Sequence, residues 1–219
     1  MLPPTRYRPF VLIAFAVSLF LGLALTPPPG DGAAGLLESM RQHEVRTILT
    51  GVFRIMAAVL ALPALEGVAP ASGRGARLFR IGTAAIHVGS IAGLVVFTVM
   101  LLQQAVLVPL TDQSTAVAIA EAIDGSLLWQ VATVVYLFGL LVGFVLLGVA
   151  VWRARLGRVT GLAIAVGFPL HIAGGDWVVT ALGGAVILCG GLTAFGLLAR
   201  GHSQERDRHP LAEQPRDVS

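Results

Sequence analysis

Six long apolar stretches constrain what this chain can fold into. A helix needs roughly 20 apolar residues to cross a hydrocarbon core of about 30 Å, and stretches of about that length occupy most of the 219 residues. Only 12% of the residues are charged, about half the share in a soluble domain. We therefore predict an all-α, polytopic transmembrane bundle with six spans, at about 9–26, 47–66, 79–103, 128–152, 158–174 and 177–199.

The distribution of basic residues predicts how these spans are oriented. Cytoplasmic loops of membrane proteins carry an excess of Lys and Arg. If the N-terminus is cytoplasmic, the outer connections carry only Arg41 and Arg46, and the basic clusters all fall inside. We therefore predict that both termini are cytoplasmic. The inner residues are Arg6, Arg8, Arg74, Arg77, Arg80, Arg153, Arg155, Arg158 and Arg200.

The chain is predicted to form one membrane domain, residues 1–200, followed by a tail. Residues 201–219 are polar, mixed in charge and contain two prolines, a composition typical of disorder. All 15 basic residues are Arg, which with the many Ala, Gly and Val residues indicates a GC-rich genome. We expect a multi-pass protein of a bacterial cytoplasmic membrane.

Two longer connections lie on the predicted outer side. Residues 27–46 begin with Pro and Gly and then predict a short surface helix that leads into the second span. In residues 105–126, Ser114 is a candidate N-cap for a short helix that ends at Asp124 and Gly125. Near the outer end of the fifth span, Gly174 and Gly175 predict a tight turn.

Arg54 is the most unusual residue of the second span. It lies about 10 Å below the predicted outer boundary at a rise of 1.5 Å per residue. A charge inside a membrane is costly, and it usually faces a partner or a wet cavity. One interpretation is an acidic partner or an anionic ligand for Arg54. The other is a side chain that extends to the membrane surface and contacts nothing specific.

Most acidic residues before the tail also fall on the outer side. One interpretation is that outer loops lack the basic bias, and the other is that some of these acids line a site. We predict an outward-facing site with Arg54 and His171 in its cavity, and with Asp176 and Glu121 at its mouth. The expected ligand is a small molecule or ion.

Histidine positions limit the possible metal sites. His43 and His171 fall on the same predicted side, and with Asp176 they offer the ligand types of a zinc site. No HExxH spacing supports the zinc site. A haem between the two histidines, or a His/Met site that uses Met100, is a second alternative. For His87 we expect a buried neutral ring that is hydrogen-bonded to a neighbouring helix. We predict no cofactor, and the single Cys189 excludes a cysteine-based cluster.

The sequence favours a small transporter or ligand-binding bundle over an enzyme. It contains no P-loop, no GxSxG and no intramembrane Lys for a retinal Schiff base. Two alternatives remain open: a metal-dependent hydrolase or haem redox protein that uses the outer histidines, and an accessory subunit of a membrane complex. The expected partners are the lipid bilayer and either a second copy or another subunit, with no nucleic acid.

Two segments carry a resemblance to a known group of proteins. They are Tyr136-Leu137-Phe138-Gly139 with its apolar continuation, and the basic loop Trp152-Arg153-Ala154-Arg155-Leu156-Gly157 before a Gly-rich span. Over about residues 48–199 the chain resembles the small six-span membrane proteins of high-GC bacteria, a family of unknown function. The resemblance implies six helices and no particular activity.

Overall fold

The computed structural model describes residues 8–28, 30–66, 75–173 and 178–208. Every regular element in these ranges is helical, as predicted. A π-helical turn, Gln103–Leu107, continues α4 at its C-terminus. The helices are α1 (Arg8–Ala24), α2 (Gly32–Gln42), α3 (Glu44–Glu66), α4 (Ala76–Leu102), α5 (Gln113–Asp124), α6 (Leu127–Arg153), α7 (Arg158–Ala173) and α8 (Val178–Arg208).

Among the described residues, three helices are long and apolar enough to cross a membrane, which supports the prediction of a membrane protein. They are α3 over Glu44–Leu65, α4 with its π-helical turn over Ala76–Leu107, and α6 over Leu127–Arg153. Three shorter apolar helical stretches accompany them, at Phe10–Ala24, Arg158–Ala173 and Leu182–Leu197. Each of the six predicted spans thus coincides with an apolar helix.

The six longer helices pack side by side in a ring. Going round it, α1 contacts α3, α3 contacts α4, α4 contacts α6, α6 contacts α7, α7 contacts α8, and α8 returns to α1. The buried apolar side chains of all six form one core at the centre. Consecutive helices of the chain are therefore neighbours, as expected for short connections.

Glycine brings the helix backbones of this ring close together. A Cβ atom added to Gly139 in α6 would lie 2.7 Å from the Cα of Gly89 in α4. A Cβ atom on Gly161 in α7 would lie 2.6 Å from the carbonyl oxygen of Gly148 in α6. Small residues permit such close contact between membrane helices. The register of α4, α6 and α7 is therefore fixed by backbone contact.

The two short helices cover one end of the ring, which we call the capped end. Helices α2 and α5 contact each other and the π-helical turn. Their buried side chains, including Leu37, Leu107 and Ala120, form a second apolar cluster. The short helix predicted in residues 27–46 is present as α2, and its C-cap residue is His43.

The predicted N-cap of α5 is corrected by the structure. The N-cap is Asp112, whose carboxylate accepts from the backbone N–H groups of Ser114 and Thr115 at 3.0 and 3.5 Å. The hydroxyl groups of the same two residues donate to this carboxylate at 2.7 and 2.6 Å. Ser114 is thus a donor to the cap. An aspartate is preferred here because its charge also interacts favourably with the helix dipole.

Helix α8 extends into the tail, and the disorder of the tail stays a prediction. Helix α8 continues to Arg208, eight residues beyond Arg200. Extending an existing helix adds a hydrogen bond for each residue that is fixed, and Gln, Glu and Arg are good helix formers. The remaining tail residues, 209–219, lie outside the described part of the chain.

Candidate functional site

A small cavity lies between the helices of the ring and contains Arg54. Its volume is about 20 Å³, enough for a water molecule but for no larger ligand. Helices α1, α3, α4 and α6 contribute to the wall, which is mainly apolar and aromatic. The lining residues are Phe15, Leu19, Arg54, Ala57, Ala58, Ser90, Phe97, Tyr136, Leu140 and Phe144.

The Arg54 side chain reaches the C-terminal end of helix α1. Its Nε donates to the carbonyl oxygen of Gly22 at 3.0 Å, and its Nη2 donates to the hydroxyl of Thr26 at 2.7 Å. The C-terminal carbonyl groups of a helix carry partial negative charge, so this position suits a cation. Gly22 makes the approach possible, because a Cβ atom there would lie 2.7 Å from the Arg54 Cγ.

Aromatic rings complete the surroundings of the guanidinium. The Cζ of Arg54 lies 5.3 Å from the centre of the Phe97 ring, which is within the range of a cation–π interaction. The Tyr136 ring meets the Phe97 ring edge-on, with the centres 5.1 Å apart. The charge of Arg54 is thus contacted by dipoles and a π face.

No carboxylate within the described residues lies within ion-pair distance of Arg54. The ion pair found in that part of the chain joins Arg41 and Glu38 at 3.6 Å, on α2. The interpretation in which Arg54 contacts nothing specific is wrong, because its side chain donates to a backbone carbonyl and a hydroxyl. An anionic ligand for Arg54 stays a prediction.

Arg46, which is nearer the N-terminus of α3, can be compared with Arg54. Its Nε donates to the carbonyl oxygen of Leu25 at 2.8 Å and its Nη2 to that of Ala24 at 3.4 Å. Both arginines thus bind carbonyl groups near the end of α1. Arg46 is exposed and does not line the cavity, whereas Arg54 does.

Several buried polar atoms lie between Arg54 and the capped end. Thr50, Gln103 and Gln104 are 1%, 3% and 4% exposed. Within the described chain, no hydrogen-bond partner is found for Thr50 Oγ1, Gln103 Nε2, Gln104 Oε1 or Thr133 Oγ1. Buried polar atoms in proteins usually have a partner. The two glutamines belong to the π-helical turn, an irregularity that is frequent at functional sites.

The other predicted site residues lie elsewhere or outside the description. His171 is on α7, where its ring centre is 6.3 Å from that of Phe168, and its backbone packs against Gly184 of α8. Glu121 is exposed on α5. Neither residue lines the cavity that contains Arg54. Asp176 and the predicted Gly174-Gly175 turn lie outside the described residues. The four-residue site stays a prediction.

The predicted metal ligands are not gathered in the described part of the chain. No group of three His, Cys, Asp or Glu residues that could hold a metal ion occurs there. His43 lies between α2 and α3, and its Nδ1 is 3.1 Å from the carbonyl oxygen of Ser39. That contact suits a donor nitrogen. Since Asp176 is not described, the zinc and haem alternatives stay untested predictions.

His87 differs from its sequence-based expectation. Its Nε2 is buried, and no hydrogen-bond partner is found for it among the described residues. The same is true of Thr83 Oγ1, one helical turn earlier in α4. The expected hydrogen bond to a neighbouring helix is therefore not found for this nitrogen among the described residues.

The sequence analysis missed the cavity wall that α4 contributes. Ser90 and Phe97 line the cavity, and they belong to a series at every seventh residue with Thr83 and Gln104. All four side chains are buried, at 9%, 4%, 3% and 4% exposure for Thr83, Ser90, Phe97 and Gln104. Spacing by seven places residues on one helix face. That periodicity was the signal in the sequence that could have identified this wall.

Comparison with protein families, with curated proteins and with solved structures gives no match to this chain.

Proposed function

We propose that this chain is a six-span protein of the bacterial cytoplasmic membrane that binds a small monoanion at Arg54, as a small transporter or ligand-binding bundle. The three shorter apolar helices support the proposal of six spans, because they close a ring around one core together with the three longer ones. Helix α7, with 16 residues, measures about 24 Å. A small thinning of the bilayer accommodates that length at a modest cost.

The capped end faces outward in this proposal, and both termini are cytoplasmic. The loop between α6 and α7 contains Arg155 and is flanked by Arg153 at the end of α6 and Arg158 at the start of α7, which favours the cytoplasmic side. Since α4 and α6 run antiparallel, α2 and α5 then cover the outer surface. A ligand from outside reaches Arg54 by passing these two helices.

The observation that carries the proposed function is the charge of Arg54. It lines a cavity, and no carboxylate balances it within the described residues. An intramembrane ionisable residue is usually functional. One guanidinium balances one negative charge, and a dianion would leave an excess negative charge in a cavity of low dielectric. A monocarboxylate is therefore favoured over hydrogen phosphate. The cavity has to widen to admit it.

Titration of the purified protein with propionate and with phosphate tests this proposal. In mild detergent, we expect propionate to raise the melting temperature more than phosphate does at equal ionic strength. Arg54→Gln should weaken propionate binding by about tenfold to a hundredfold, since a hydrogen bond to a charged group contributes about 1.5–3 kcal/mol. Arg54→Lys keeps the charge and should retain part of the binding.

Arg46→Gln is the matched control, because Arg46 also binds the end of α1 but lies outside the cavity. It should leave propionate binding unchanged. Equal binding to the wild-type and Arg54→Gln proteins would refute the proposed function. Equal losses in the two Gln variants would refute it too, because the effect would then come from the end of α1.

A further inference from the structure

The buried polar side chains at the capped end indicate which kind of monoanion binds at Arg54. Thr50 precedes Arg54 by four residues on α3, so it lies about 6 Å nearer the capped end. Gly51 packs against Leu101 of α4, which places the start of the π-helical turn at the same level. Gln104 follows Phe97, the residue under the guanidinium, by seven residues. Thr50 and Gln104 are therefore both on the capped-end side of Arg54.

The unpartnered atoms of this region include both donors and acceptors. Gln103 Nε2 is a donor, Gln104 Oε1 is an acceptor, and the hydroxyl of Thr50 can be either. Leaving such atoms buried without a partner costs free energy. A ligand group that donates and accepts would satisfy them together, and a hydroxyl group does so without adding charge.

Thr50, Gln103 and Gln104 lie beyond the lining of the cavity that contains Arg54, and this lining restricts the ligand further. Away from the capped end, the lining consists mainly of apolar side chains, with Phe15, Leu140 and Phe144 among them. These three residues offer contact to carbon and none to a polar group. Ser90 also lines the cavity, but its hydroxyl is not among the buried atoms without a partner in the described chain. Polar groups of a ligand therefore belong near Arg54 and toward the capped end.

We propose that Thr50, Gln103 and Gln104 form the outer half of the Arg54 site, which selects small hydroxy-monocarboxylates over monocarboxylates without a hydroxyl group. This inference rests on the proposed function. The carboxylate binds Arg54, and the hydroxyl group exchanges hydrogen bonds with Thr50 and the glutamine pair. Net charge also favours this class over amino acids, because a zwitterion leaves the charge of Arg54 unbalanced.

Lactate and propionate test the selection, because they differ by one hydroxyl group. Binding is measured by isothermal titration of the purified protein in mild detergent, with alanine as the zwitterionic comparison. We expect lactate to bind at least tenfold more tightly than propionate, and alanine more weakly than lactate. A site that hydrogen-bonds a ligand hydroxyl discriminates strongly against the analogue that lacks it.

Gln104→Leu should reduce the ratio of lactate to propionate affinity to about one while propionate binding persists. Gln130→Leu is the matched control, since Gln130 is exposed on α6, and it should keep the full ratio. Arg54→Gln should weaken both ligands. Equal affinities in the wild-type protein, as when water satisfies these atoms, would overturn the inference and leave the proposed function standing. Absence of binding by both acids would overturn the two together.

Discussion

Helix α4 meets its surroundings through two different faces. Toward α6 it presents backbone: a Cβ atom on Gly89 would lie 2.9 Å from the backbone nitrogen of Leu140. Toward the centre of the ring it presents the series Thr83, Ser90, Phe97 and Gln104, which includes polar atoms without a partner in the described structure. The first face has almost no freedom to change. The second face has polar atoms that make no hydrogen bond in the described structure, so a ligand would gain most binding free energy there.

The strongest test of this comparison places a large side chain on the glycine face. In Gly139→Leu, the new Cβ would meet the Cα of Gly89 at 2.7 Å and the carbonyl oxygen of Ala85 at 2.9 Å. Backbone atoms have no alternative rotamer, so the helices must separate. We expect a loss of about 3 kcal/mol in the free energy of unfolding, at the upper end for overpacked cores. Denaturant titration in detergent measures it.

Gly190→Leu is the control for this prediction. Gly190 is exposed on α8, and nothing lies within 4 Å of a Cβ atom placed there. The substitution should leave the unfolding free energy nearly unchanged. If both variants lose equal stability, the effect belongs to leucine in a glycine-rich helix and not to contact between α4 and α6.

The helices were predictable from sequence because they follow from apolar length alone. A stretch such as 128–152 contains no charge until its end, and lipid offers its backbone no hydrogen-bond partner other than itself. The end of α4 was less predictable, since the π-helical turn carries it to Leu107. The length of an apolar stretch predicts that a helix is present, but it does not predict a local change in the hydrogen-bond pattern.

The candidate site was predictable only in part. Arg54 stood out because a charge in an apolar stretch is costly. The partner of Arg54 could not be predicted, because the acceptor is the carbonyl oxygen of Gly22, and every residue has a carbonyl. Which carbonyl is accessible depends on helix packing, here on a glycine that has no side chain to block the approach. His171 was predicted to lie in the site because of its residue type. Residue type does not determine the direction in which α7 places the side chain.

A matched pair of threonines tests the same comparison, and we expect a change in stability of intermediate size. Thr47 and Thr50 are both 1% exposed on α3, but only the Thr47 hydroxyl has a described partner, the carbonyl oxygen of His43 at 3.1 Å. Thr47→Val should cost about 1 kcal/mol, the usual net contribution of a hydrogen bond. Thr50→Val should be neutral or stabilising in the ligand-free protein, because it removes an unpartnered polar atom.

Thermal unfolding of the two valine variants in the same detergent measures this difference. Thr50→Val should also reduce the preference for lactate, because Thr50 belongs to the proposed outer half of the site. A larger loss of stability in Thr50→Val than in Thr47→Val would show that the Thr50 hydroxyl is already well satisfied, and it would remove the distinction between the two positions.

The smallest expected effect concerns the capped end, where α5 depends on a charged N-cap. Hydrogen bonds from the side chains of Thr115 and Ser114 lower the pKa of Asp112 from 3.8 to about 2. A carboxylate with a lowered pKa in the folded state contributes stability above its unfolded pKa and loses it as the pH falls. The contribution of Asp112 should therefore be complete above pH 4 and decline between about pH 4 and pH 2.

Hydrogen exchange of α5 measures this contribution. At pH 6, Asp112→Ala should increase exchange in the first turn of α5 relative to the wild type, after correction for intrinsic rates, and the difference should shrink as the pH falls toward 2. Ser126→Ala is the matched control: the hydroxyl of Ser126 caps α6 by accepting from the backbone N–H of Trp129 at 3.3 Å, and it does not titrate in this range. Its effect should stay constant with pH, so an equal pH dependence in both variants would trace the change to the whole capped end and not to the Asp112 carboxylate.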